Sequence, residues 1–272
     1  SWISINIEKD DMKAQNFFGE VTDKLIVLKN KTNFSTPYQG EIMGEIATID
    51  NTQMYKIRMS GASTLHTAGT PVVPAEKQIT LNPGWNWIAY TPQGKLTVQQ
   101  ALAGLQASSG DVIKSQTAFA TYSNGSWQGS LATLESGRGY VYQHTGATAR
   151  SFTYPYVAAQ QAAPMMRAVV EQNDVASTFT PVDGSKYENN MSIIAIVKNG
   201  NDTLKNVEVG AFIGNECRGA VSSKSNGLLF LTVAGDTDGD ILNFKIYNAT
   251  TGSMINAPQN LSYAKDIIQG SI

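Results

Sequence analysis

Gly84-Trp85-Asn86-Trp87-Ile88-Ala89-Tyr90 is the stretch on which the fold turns. Its second half, Trp87 to Tyr90, reads as a short buried strand, and Pro92-Gln93-Gly94 behind it reads as a turn. The same letters occur earlier: at an offset of 85 positions, Trp87-Ile88 repeats Trp2-Ile3. The register then holds without a gap. Val112 repeats Val27, Phe119 repeats Phe34, Gly125 repeats Gly40, Gly129 repeats Gly44 and Tyr140 repeats Tyr55, among other identities. A constant offset over a stretch of this length means two copies of one folded unit.

Outward from Tyr90, Thr97 followed by Gln100 is a capping-box pair, and Val98, Ala101, Leu102 and Leu105 recur at helical spacing. This predicts a helix of about ten residues, closing near Ser108-Ser109-Gly110. Strands are expected at Val112-Ile113, Ala118 to Tyr122 and Gly139 to Gln143, with Ser123-Asn124-Gly125 as a hairpin turn. Each copy is therefore a small sheet carrying one helix, the first spanning 1–76 and the second 77–154. By the offset Ser1 corresponds to Asn86, so Trp85 and the residues before it have no partner in the first copy. The chain is accordingly read as part of a longer polypeptide or assembly.

The composition changes over 155–174, which is poor in Gly and reads as a linker. From 175 to 272 the strand signals are clean: Met191 to Val197, Val207 to Ile213, Leu228 to Val233 and Ile241 to Tyr247, punctuated by Asn-Gly and Gly-Asn turns. Short strands without helical pattern between them indicate an antiparallel β-sandwich. The whole chain is thus expected to be mainly β, of α+β type: two tandem sheet-plus-one-helix repeats, then the sandwich.

The balance of 20 Lys plus Arg against 22 Asp plus Glu gives a net charge of −2, without a basic run, so nucleic acid and anionic lipid are not expected partners. The apolar run Leu228 to Ala234 is far shorter than the ~20 residues of a membrane-spanning helix. One cysteine excludes an internal disulfide and a multi-thiolate zinc site, and two histidines restrict acid-base chemistry. No cofactor is implied. No nucleophile elbow, P-loop, zincin or dinucleotide motif occurs, and His66 and His144 read as surface histidines. The chain is expected not to be an enzyme.

The binding candidates are aromatic. Trp2 and Trp87, being equivalent, are expected to fill the same core slot. Trp127, whose counterpart is Ile42, and Trp85 lack that repeat explanation. With Tyr122 across the hairpin, Trp127 offers an aromatic surface for a sugar ring or a protein anchor, against the competing reading of core packing. Asp236, Asp238 and Asp240 alternate like calcium ligands, though without the EF-hand order, and a polar hairpin turn is the competing reading. Cys217 reads as a buried structural thiol.

These motifs, GWNWIAY and GDVIKSQTAFATYSNGSWQGSLATLESGRGYVY followed by NMSIIAIVKN and VEVGAFIGNECRGAV, resemble the C-terminal accessory modules of secreted and cell-surface proteins of Bacteroidetes. The resemblance runs over nearly the whole chain and implies an extracellular or cell-surface location. It also implies that Thr203, in Asp202-Thr203-Leu204, lies in an O-glycosylation pattern. The function expected is non-catalytic binding or adhesion, with a glycan or a surface protein as ligand. The alternative is a structural spacer that docks the modules of a larger secreted protein such as a protease.

Overall fold

The structure is a computed structural model and describes residues 1–156 and 177–270. The described residues form two compact units, one of residues 1–156 with 185–188 and the other of 177–184 with 189–270. Beyond residue 156, the expected linker lies outside the described residues. The chain is mainly β, as its patterning predicts. No helix among the described residues is long and apolar enough to cross a membrane.

The first unit holds both repeats. In the first repeat come β1 (Trp2–Ile3), α1 (Ala14–Phe18), β2 (Leu25–Lys29), β3 (Phe34–Tyr38), β4 (Glu41–Gly44) and β5 (Tyr55–Met59). In the second come β6 (Gly84–Ala89), α2 (Val98–Ala101), β7 (Val112–Lys114), β8 (Phe119–Ser123), β9 (Ser126–Gly129) and β10 (Gly139–His144). The sheet orders are β1-β5-β2-β3-β4 and β6-β10-β7-β8-β9, the same topology twice. Every pairing in both sheets is antiparallel.

Atomic detail repeats as well. The β3–β4 hairpin turns through Gln39 (φ 51°) and Gly40 (φ 84°), and β8–β9 through Asn124 (φ 52°) and Gly125 (φ 79°). Two successive positive φ values match the right-handed twist of the flanking strands, which is why glycine is kept at the second position in both copies. The Asp50 amide donates to the Tyr55 hydroxyl at 2.7 Å, and the equivalent Glu135 amide donates to the Tyr140 hydroxyl at 2.8 Å. Each repeat has its own apolar core, including Phe17, Phe18 and Leu28 in one and Tyr90, Ile113 and Leu134 in the other.

The helix is shorter than its spacing predicts. The capping box between Thr97 and Gln100 forms, yet regular helix ends at Ala101, and Leu102 leaves helical geometry at φ −99°, ψ 18°. Leu102 and Leu105 still reach the core through the irregular turns that follow. Burial of these leucines is satisfied without a longer helix.

The repeats meet through equivalent elements. Ile3 bridges to Arg138, and Ile88, its equivalent, bridges to Gln53, the equivalent of Arg138. The Ser4 amide donates to Gly137 O at 3.2 Å, and the equivalent Ala89 amide donates to Thr52 O at 3.1 Å. This reciprocity is the pattern of a two-fold interface, realised inside one chain. Position 54 and its equivalent 139 face each other there. Met54 is fully buried, and a Cβ on Gly139 would lie 2.1 Å from Met54 Cγ. One copy carries the bulk and the other the space for it.

The second unit is an antiparallel sandwich. Its strands are β11 (Asn189–Ile196), β12 (Val207–Ile213), β13 (Glu216–Ser222), β14 (Leu228–Gly235), β15 (Ile241–Asn248), β16 (Ser253–Ser262) and the short β17 (Ile268–Gln269). The sheets run β13-β12-β15-β16 and β14-β11-β17, with only the β11–β17 pair parallel. Met191, Ile193, Val209, Leu231 and Leu242 fill the core between them. Residues 177–182 lie along the four-stranded sheet. Glu208 accepts hydrogen bonds there from the Ser177 hydroxyl and from the amides of Thr178 and Phe179, and Phe179 packs edge-on to Phe212 at 5.9 Å. Cys217 is buried beside these two rings, and burial raises its thiol pKa.

Candidate ligand-binding groove at the repeat junction

The expected aromatic site folds inward. Tyr122 and Trp127 are a cross-strand pair on β8 and β9, with ring centroids 5.2 Å apart. Trp127 also meets the buried Tyr142 edge-on at 5.9 Å and packs against the core of the second repeat. Both rings are half-buried, and packing accounts for them. Trp85 is half-buried in the junction cluster with Met54, Trp87 and Val141, and the Lys114 ammonium lies 5.3 Å from its ring.

The three aspartates of the 236–240 turn do not converge. Asp236 Oδ1 accepts from the backbone and side chain of Asn189, whereas Asp238 Oδ1 accepts from the Lys265 amide. Among the described residues no group of three or more His, Cys, Asp or Glu side chains comes together to hold a metal ion. Thr203 is exposed in the short hairpin that pairs Lys198–Asn199 with Asp202–Thr203.

His144 corrects a sequence expectation. It ends β10 and is buried, not on the surface. Its Nε2 sits 2.9 Å from Thr148 O, and its Nδ1 accepts from the Gly146 amide at 3.4 Å. Pairing of His144 with Gly84 extends the strand one residue further than the apolar pattern indicates. His66 is exposed.

An open groove of about 530 Å³ lies where the first repeat meets the second. That volume falls in the ~300–1,000 Å³ range of ligand sites. Trp2 of β1 forms one wall, and the second repeat supplies the rest, including Gln116, Thr133, Glu135 and Arg138. Trp2 thus departs from the core slot expected of it: Trp87 is 5% exposed, while Trp2 is only half-buried. Trp87 is covered by the chain itself, its indole N–H donating to Glu188 O at 2.9 Å, whereas Trp2 borders the groove, which Gly139 lines in place of its bulkier equivalent Met54.

The polar groups of the groove are held from behind. Gln116 Oε1 accepts from the Trp2 backbone amide at 3.0 Å, which leaves its amide NH2 free to donate. The Arg138 carbonyl accepts from Ser4 Oγ at 2.8 Å, and the turn before it closes through Arg138 N to Glu135 O at 3.2 Å with Gly137 at φ 76°. Glu135 pairs with Lys95 at 2.8 Å, and that hydrogen bond and charge hold its carboxyl below the usual range. Among the described residues none pairs with the Arg138 guanidinium or accepts from the Trp2 indole N–H. Beside the groove Phe119 is 52% exposed, although its equivalent Phe34 is wholly buried.

The sequence pattern placed Trp2 in the core and gave no role to Gln116, Arg138 and Phe119. Two of them carried a signal in the repeat alignment: Arg138 replaces Gln53 and Gln116 replaces Lys31, so the copies differ in chemistry on an otherwise matching frame. No family model, curated protein or solved structure matches this chain.

Proposed function

We propose that this chain is a non-catalytic extracellular binding or adhesion module, and that it takes its ligand, a glycan or a surface protein, in the groove at the repeat junction. The observation that carries the reading is that Trp2, Gln116 and Arg138 line one open cavity. These groups offer what recognition uses: an aromatic surface at Trp2, with Phe119 exposed nearby, donors at Gln116 and Arg138, and a fixed acceptor at Glu135. The Trp2 amide holds the Gln116 side chain and Lys95 holds the Glu135 carboxylate, which reduces the ordering cost of binding. The resemblance to accessory modules of Bacteroidetes surface proteins supports the location.

The test is retention of the purified chain on printed glycans and on cell-surface protein fractions. Trp2→Ala and Arg138→Ala are each expected to weaken retention at least tenfold, while Trp127→Ala leaves it within twofold. Equal retention of wild type and both groove variants would remove the groove from the reading.

A further inference from the structure

The pseudo-two-fold junction implies a second groove, equivalent to the first, built around Trp87 where the open one has Trp2. That twin is occupied by the chain itself. Residues 185–188 lie along it: Trp87 Nε1 donates to Glu188 O at 2.9 Å, and Lys31 Nζ donates to the preceding carbonyl, of Tyr187. Ser185 Oγ donates to Pro83 O at 2.6 Å, and the Glu188 carboxylate pairs with Lys114 at 2.7 Å. The twin therefore recognises polypeptide, by two successive backbone carbonyls and one acidic side chain.

Under the 85-residue offset Trp87 becomes Trp2 and Lys31 becomes Gln116. Both carbonyl donors are thus conserved in function: an indole N–H at Trp2 and a side-chain NH2 at Gln116. The difference is where the positive charge sits: in the twin Lys31 and Lys114 meet the segment, whereas in the open groove position 116 is neutral, the equivalent of Lys114 is the buried Lys29, and the exposed cation is Arg138. Gln53 in the twin is hydrogen-bonded to Asn30 at 2.9 Å and to Asp50 at 3.1 Å, whereas its equivalent Arg138 is exposed, and its guanidinium makes no hydrogen bond or ion pair among the described residues. Among the described residues no ion pair holds the Arg138 guanidinium, while its charge, with that of Lys95, acts on the nearby Glu135 carboxylate.

We infer that the open groove binds an extended acidic peptide segment of a partner protein, two of whose successive backbone carbonyls accept from Gln116 and Trp2 while an acidic side chain pairs with Arg138. This rests on the reading of the groove as a binding site and narrows its ligand from glycan or protein to polypeptide. Bidentate guanidinium–carboxylate pairing gives the acidic preference, and the two carbonyl contacts are indifferent to side chain.

The test is a titration of the 15N-labelled full chain, read at its indole N–H resonances. The probes are the capped peptide acetyl-Ser-Glu-Tyr-Glu-amide, its Ser-Gln-Tyr-Gln counterpart, and neutral and uronate hexasaccharides. The acidic peptide is expected to move the Trp2 indole signal and leave the Trp87 signal in place, the unmoved signal also reporting an intact fold. The glutamine peptide should bind at least fivefold more weakly. Arg138→Gln, which alters only an exposed side chain, should abolish that difference between the peptides. Binding of a hexasaccharide without either peptide would overturn the inference and leave the binding-module reading intact. If no probe moves the Trp2 signal, the inference is overturned and the glycan branch of that reading goes with it. Equal binding of both peptides would overturn the acidic preference.

Discussion

The Tyr142 hydroxyl donates to Asp111 Oδ2 at 2.7 Å in the interior of the second repeat, where both residues are wholly buried. Asp111 also accepts from the Ser108 amide at 2.9 Å and from both the amide and the hydroxyl of Thr145 at 2.7 Å. One carboxylate thus ties the loop before β7 to the end of β10. Burial by itself would push this carboxyl up, but the four hydrogen bonds outweigh it and hold the group below the ordinary carboxylate range. Because the folded pKa is the lower one, the stabilisation is fully present above the unfolded value of ~3.9 and is lost as pH falls through the folded value. Asp111→Asn is expected to cost about 1.5–3 kcal/mol at pH 7 and to flatten the stability profile below about pH 4, measured by urea unfolding across pH.

The packing of position 54 against position 139 is testable by a double-mutant cycle. Gly139→Ala drives a methyl into Met54 and should cost about 1–3 kcal/mol, while Met54→Ala leaves a cavity and should cost about 2–5 kcal/mol. The double variant removes the clash with Met54 Cγ but keeps those with Ile3 O at 2.8 Å and Met54 Cβ at 2.9 Å, so it should be more stable than the sum of the two by only about 0.5–1 kcal/mol. Strict additivity in chemical denaturation would argue against a direct contact at the junction.

Trp127→Ala should behave as a packing lesion. The loss of its contacts with Tyr122 and Tyr142 is expected to lower stability by about 1–3 kcal/mol. A change in ligand retention at constant stability would return Trp127 to the binding surface.

Glu208→Ala removes the common acceptor of Ser177, Thr178 and Phe179. Amide exchange at Thr178 and Phe179 is expected to accelerate by at least tenfold, with the β11–β14 pairing still protected. Uniform acceleration over the whole sandwich would mean that these hydrogen bonds support more than the local segment.

Much of this architecture is legible in the sequence because the features that define it are local. Turn glycines such as Gly40 and Gly125 are fixed by backbone conformation, and the apolar strands β11, β12, β14 and β15 announce themselves by composition. Strand β16 does not, since it is an edge strand exposed along most of its length, with Pro258 near its centre and an irregular register against β15. A strand that buries little has no apolar pattern to read, and proline with a bulge is a common guard for such an edge. The groove was hidden for a different reason. Trp2 and Trp87 are identical letters in identical sheet positions, and their environments diverge through contacts far off in the chain: Met54 stands where the other copy has Gly139, and the Trp87 indole donates to Glu188 O.

The reciprocal joint between the repeats also bears on what a single copy can hold. Neither repeat alone holds the open groove, because its tryptophan belongs to one copy and its arginine to the other. The cavity therefore needs two copies joined: one copy by itself has the sheet, the turns and the tyrosine-to-amide clasp, but no such cavity. In the present chain one of the two matching sides is covered by residues 185–188 and the other is open.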